Sequence, residues 1–225
     1  MSPLLVAGLG NPGRSYAGSR HNIGFMVVDA LCDRYGFAPL RSRFLGQAAE
    51  GTVAGRRVLA LKPMTYMNES GRSVAEARRF YKVEPADVIV FHDELDLAAG
   101  KLRVKDGGGT AGHNGIRSIR DHIGPDFRRV RVGIGHPGDK GRVVGHVLKD
   151  FSKADRDWLD PLLDAVGTHF PLLAGGDGAA FMSKVALTLN PPPPKPPKPE
   201  KPEADAPKET APNSTAPKAT TDSSE

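Results

Sequence analysis

The chain has 225 residues, a net charge of +5 and a single cysteine. That length holds one domain or two small ones. The lone thiol excludes an internal disulfide framework and suits a reducing cytosol, and no apolar run reaches the roughly 18 residues of a membrane span. The N-terminus has no basic segment and its apolar stretch breaks at Gly8-Leu9-Gly10, so a secretory signal is not expected; the positive balance favours a polyanionic partner.

In chain order, Leu4–Ala7 reads as a short apolar strand. Ile23, Met26, Val27, Ala30, Leu31 and Arg34 trace a helical stripe that stops at Gly36, a residue type that commonly ends helices. Cys32 falls inside that stripe and reads as a small buried apolar residue, a poor nucleophile. "AAEGTVAGRRVLALK" reads as a hairpin around Gly55. Met67, Val74, Ala77 and Tyr81 define a second helix. "DVIVFHDE" is a nearly continuous apolar run, as expected of a strand buried on both faces. "KLRVK" alternates, "GGGTAGHNG" is a loop, and Ile116, Ile119 and Ile123 form the stripe of a third helix. "RRVRVGIG" is another strand, and Asp155–Leu173 and Ala179–Leu189 read as closing helices. Strands alternating with helices predict an α/β domain with a mixed, largely parallel sheet over residues 1–190. From Pro191 to Glu225 there is no aromatic residue, Leu, Ile or Val, and five lysines face six acids. Such a segment cannot bury enough surface to offset its ordering entropy and reads as a disordered tail. The basic excess therefore belongs to the domain.

Open α/β sheets bind ligands beyond the carboxyl ends of their strands. Asn11 follows the first strand, Asn68 follows Val58–Lys62, His92, Asp93 and Glu94 follow Val88–Phe91, and His136 follows Arg129–Gly133. The loop Gly107–Gly115 adds His113 and Asn114. Amides, carboxylates and imidazoles thus converge on one rim.

Gly8–Gly13 is a literal G-x-G-x-x-G after a strand, but its context argues against a dinucleotide site. A dinucleotide turn needs its helix to begin at the glycines, with an acid about 20 positions on at the end of a second strand. Here the helical stripe starts only near Ile23, and Asp33, at that spacing, lies inside the helix. Pro12 also removes a backbone donor. The glycines are better read as a sharp turn that carries Asn11 and His21 to the rim. A helix start keeps an imidazole neutral and able to act as a base; an ordinary first-turn histidine is the other reading of His21. Asn68 and Asn114 equally suit helix caps, and His113 and His136 read as structural or loop residues.

No G-x-S-x-G, H-E-x-x-H, C-x-x-C or Walker loop is present. "HDELD" could hold a hard metal, but three acids on a short loop also suit a solvated turn. A neutral histidine, an orienting carboxylate and several amides can activate water against an ester or amide without a covalent intermediate.

Five stretches, "GNPGRSYAGSRHNIG", "KPMTYMNESG", "HDELDL", "GGGTAGHNG" and "RVRVGIGHPG", together resemble the motifs of the bacterial-type peptidyl-tRNA hydrolases, in order, across residues 3–189. The resemblance implies a monomeric, cytoplasmic α/β/α enzyme without metal or cofactor that cleaves the ester between a peptide and the 3′ ribose of tRNA, recycling tRNA for translation. By position it makes His21 the general base and Asp93 the group that fixes its tautomer. Asn11, Asn68 and Asn114 would bind the peptide and the tRNA 3′ end, Tyr16 and Met67 would line the cleft, and Lys105 and Arg131 would grip the tRNA 5′ phosphate. Ser19 stands where the family more often has Thr. A non-catalytic RNA-binding scaffold and a metal-dependent ester hydrolase are the competing readings.

Overall fold

A computed structural model describes residues 2–192. These form a seven-stranded sheet and six α-helices: β1 (Leu4–Gly8), α1 (Ile23–Tyr35), β2 (Arg41–Arg43), β3 (Gly46–Val53), β4 (Arg56–Pro63), α2 (Ser70–Tyr81), β5 (Val88–Glu94), β6 (Leu102–Asp106), α3 (Asn114–Ile123), β7 (Arg128–Gly133), α4 (Val143–Leu148), α5 (Arg156–Ala174) and α6 (Gly178–Leu189). The predicted disordered tail lies, from residue 193 on, outside the described residues.

The strand order is β2-β3-β4-β1-β5-β7-β6. β4, β1, β5 and β7 run parallel, whereas β3 pairs antiparallel with both β2 and β4, and β6 antiparallel with β7. The sheet is therefore mixed, with most strands pointing one way. Alternation along β1 splits the core: Leu4 and Val6 join Ile89, Phe91, Val130 and Val132 under α1, α5 and α6. Leu5 and Ala7 join Leu59, Leu61, Val88 and Val90 under α2 and α3. Both faces are covered, giving three layers, and β5 is buried along its whole length.

The glycines of the opening motif have a packing role. A Cβ on Gly8 would lie 2.0 Å from the carbonyl oxygen of Gly24, and one on Gly24 would lie 2.2 Å from the backbone nitrogen of Leu9. Helix α1 thus sits directly on β1 and cannot do so with larger residues. Its Ile23, Val27 and Leu31 face the sheet, and Gly36, in the left-handed region at φ 58°, ends it.

Two elements escape the sequence pattern. β2 is three residues of Arg-Ser-Arg on the sheet edge, where polarity replaces any apolar signal. α4 is six residues long and interrupted by Gly145 and His146, too short to show a helical period.

Candidate active site

The carboxyl end of β5 carries His92, Asp93 and Glu94 into the protein interior. His21 reaches the same place from the short 3-10 turn Arg20–Asn22, immediately ahead of α1. Long-range bonds fix that turn: the Arg20 backbone N–H donates to the Lys149 carbonyl at 3.1 Å and that of Phe151 to Gly18 at 2.9 Å. The Arg20 side chain pairs with Asp155 at 2.8 Å. Ser19 is fully buried and its hydroxyl donates to Asn22 at 3.3 Å, a bond that Thr could also make.

Asp93 is only 3% exposed, and its Oδ1 accepts two bonds. His21 Nδ1 donates at 2.8 Å and His113 Nε2 at 3.0 Å. The tautomers follow from the partners. His113 Nδ1 accepts from the backbone N–H groups of Gly115 and Ile116 at 3.1 and 3.3 Å, so its proton sits on Nε2. His21 gives its Nδ1 proton to the carboxylate, which leaves a lone pair on Nε2, as a general base requires. Burial opposes ionisation of Asp93, but His113 and His21 together hold its carboxyl well below the usual carboxylate range.

These three side chains border a cavity of about 280 Å³, also lined by Asn114 and by Val143, Val144 and Val147 of α4. His113, expected on the rim as a structural or loop residue, bonds Asp93 directly. It caps α3 with its ring and donates to the same Asp93 oxygen as His21, the two rings lying 5.0 Å apart; "GHNG" at the start of a predicted helix on the rim is the one signal that marks it. Asn114 is exposed and is not the cap, a place His113 takes. Asn68 is exposed on the 3-10 turn Met67–Glu69, where no side-chain cap bond forms. Both amides remain free for a ligand among the described residues. Asn11 is almost buried: Asn22 holds its backbone N–H and carbonyl at 2.9 Å each, and its Oδ1 accepts from the Met67 backbone at 2.9 Å. Met67 is buried, with its sulfur close to Gly115, so it bridges the Asn11 turn and the start of α3. Tyr16 is half-buried on the 3-10 turn Arg14–Tyr16, outside the cavity that His21 lines. His136 is exposed in a loop, where its Nδ1 accepts from Gly138. Cys32 is half-buried rather than buried; desolvation, with Asp29 adding, pushes its thiol up to about 11, which makes it a poor nucleophile.

A second cavity, of about 160 Å³, lies on the other side of the rim between the loop Gly109–Ala111 and β7. Register pairs Lys105 with Arg129 and Arg103 with Arg131, so all four cations share one sheet face. Lys105 is exposed, and Arg131 donates through Nε to Glu94 at 2.8 Å, its terminal nitrogens engaging nothing else among the described residues. Arg129 is 2% exposed and donates to the carbonyls of Gly108 and Gly109. It braces the glycine loop.

His92 gives a pH test. Burial, with His113 next, lowers its pKa from 6.5 to about 3. Between those values the unfolded chain binds a proton that the folded chain refuses, so stability falls as the medium is acidified through this window. From pH 6.5 to 5 the expected loss is on the order of 2 kcal/mol; Asp93 adds a further loss only below about pH 4, where unfolded carboxylates titrate. Denaturant melts across this range should show the decline in the wild type and a much flatter profile in His92→Asn.

Comparisons with known proteins place the chain in a family. Residues 5–192 match the family model described as peptidyl-tRNA hydrolase. The chain is 62% identical over 193 residues to a peptidyl-tRNA hydrolase of Parvibaculum lavamentivorans, covering 85% of this chain and 94% of that protein. It is 60% identical over 187 residues to one of Rhodospirillum rubrum, with 83% and 77% covered. A crystal structure of peptidyl-tRNA hydrolase from Acinetobacter baumannii superposes with a TM-score of 0.77 at 44% identity, covering 81% of this chain and 94% of that one. This chain therefore belongs to the peptidyl-tRNA hydrolase family.

Proposed function

We propose that the chain hydrolyses the ester linking a peptide to the 3′ ribose of tRNA, with His21 as general base and Asp93 as the group that fixes its tautomer. The observation that carries this is the 2.8 Å bond from His21 Nδ1 to a buried carboxylate, which leaves Nε2 unprotonated at the cavity wall. A water held there, with Asn114 beside it, loses a proton to Nε2 as its oxygen attacks the ester carbonyl. The imidazolium that forms is stabilised by Asp93 and returns its proton to the departing 3′ oxygen of the ribose. Amide donors on Asn68 and Asn114 suit the carbonyl oxygen as it gains charge. Amides also recognise peptide backbone without regard to side chain, because each offers a donor and an acceptor. Asn11 contributes its free amide nitrogen, and Tyr16 and Met67 shape the approach. We take the enzyme to act as a cytoplasmic monomer.

Lys105 and Arg131 border the second cavity and suit a phosphate, Arg through its fork of donors and Lys as a point charge. Their proposed ligand is the tRNA 5′ phosphate, away from the scissile ester. Lys105→Ala and Arg131→Ala should then slow cleavage of full-length peptidyl-tRNA while having far less effect on a short 3′ fragment that lacks the phosphate. Added salt should narrow the gap between wild type and variants, because phosphate contacts weaken as salt rises. The check is kcat/KM on both substrates at two salt concentrations. Equal losses on both would assign the residues to structure or chemistry instead.

A further inference from the structure

The hairpin turn between β2 and β3 is strained, and the fold does not account for all of it. Arg43 pairs with Gly46 across a two-residue loop, Phe44-Leu45. Both loop residues lie in the left-handed region, at φ 56° and 51°, where Asn and Gly are the usual occupants of such a turn. Phe44 has a packing reason. It is buried, the Arg43 guanidinium lies 4.6 Å from its ring centre, and the Phe80 and Tyr81 rings sit at 5.3 and 5.9 Å. Leu45 has none: it is 47% exposed. A branched apolar residue held in an unfavourable backbone conformation and pointed at solvent suggests a contact outside the fold.

Its surroundings agree. The Met64 backbone N–H donates to the Leu45 carbonyl at 3.0 Å, Met64 is 40% exposed, and Tyr66, two residues on, is 64% exposed. Half of the large apolar side chains exposed among the described residues thus fall on this one margin. Behind it runs a groove of about 240 Å³, walled by Asn11, Asn22, Phe25, Met26, Gln47 and Met64. The groove takes in the Asn11–Asn22 pair, and Asn22 directly follows His21 in the chain. Met64 joins it to the apolar margin. The one cation in the groove, Lys62, is already paired with Asp29 at 2.5 Å. A polyanion therefore finds no free counter-charge here, in contrast to the face that carries Lys105 and Arg131.

We propose that this groove and its Leu45–Met64 margin bind the substrate peptide upstream of the esterified residue and favour apolar side chains there. The proposal rests on the reading of the chain as a hydrolase of peptidyl-tRNA. Asn11 and Gln47 can engage an extended backbone, while Met26 and Met64, flexible and polarisable, can adapt to varied side chains.

The test compares kcat/KM on three substrates: acetyl-aminoacyl-tRNA with one residue, an acetyl-tripeptidyl-tRNA with two upstream leucines, and the same with two upstream serines. The wild type should favour the leucine substrate over the other two by on the order of tenfold, the value of burying about one apolar side chain. Leu45→Asn suits the left-handed turn and so folds at least as well as the wild type. It and Met64→Gln should each reduce that ratio several-fold. A wild type with no preference, a preference that survives both substitutions, or equal losses on all three substrates would overturn the proposal. Hydrolysis of none of the three would overturn the functional reading, and this proposal with it.

Discussion

His21→Ala is expected to lower turnover of peptidyl-tRNA by about 10²–10⁴-fold, the usual contribution of a positioned general base. The fold should survive, because the His21 side chain has no hydrogen bond except to Asp93 among the described residues. The turn that carries it is held by its neighbours Arg20 and Asn22 instead. Single-turnover rates isolate the chemical step from product release, and the loss should appear there while substrate affinity changes little. A variant that keeps more than about a tenth of the wild-type rate would remove His21 from the role of base.

Asp93→Asn is a finer instrument. Both imidazoles donate to the same oxygen, Oδ1, at 2.8 and 3.0 Å. An asparagine can present its carbonyl oxygen to both, so the geometry persists while the charge disappears. What is lost is the difference between a charged and a neutral acceptor for the imidazolium formed in the transition state. That difference is about 1–1.5 kcal/mol, or roughly five- to tenfold in kcat, smaller than the effect of removing the base itself. KM should move little, because Asp93 is buried beneath the histidines and does not meet the substrate. A large rise in KM with kcat preserved would recast Asp93 as a binding residue.

Most of the fold is legible in the sequence where burial is one-sided or complete. The uninterrupted run of β5, the stripes of α1 and α3, and the alternation of β6 each come through because one period dominates. β2 and α4 do not, since a three-residue polar edge and a six-residue helix carry too few side chains to express a period. At the site, His21 and Asp93 can be placed on one rim from the strand ends, yet their contact spans 72 positions and no local pattern encodes it. His113 reads as a structural or loop residue because a histidine before a helix looks like any other; its role depends on capping α3 with one nitrogen and reaching Asp93 with the other. The burial of Arg129 is not legible, because alternation predicts a face but not what covers it, and the loop Gly107–Gly115 folds over that face. The G-x-G-x-x-G is a caution of another kind: its first glycine serves the contact with Gly24 of α1, a packing demand that a motif alone cannot distinguish from phosphate binding.

His21 and Asp93, with His113 bracing the carboxylate, handle a proton rather than a metal. The same three side chains offer ligand atoms within 4.8 Å of one another, which is close enough for a metal ion. Hydrogen-bond geometry favours the proton, because His113 Nδ1 already accepts from two backbone donors and its remaining nitrogen must then carry the hydrogen aimed at Asp93. The direct measurement is release of tRNA from acetyl-aminoacyl-tRNA by the purified chain, before and after exhaustive treatment with EDTA. Proton handling predicts the same rate in both. A rate that collapses on chelation and returns with added Zn²⁺ would contradict it and assign the three residues to a metal.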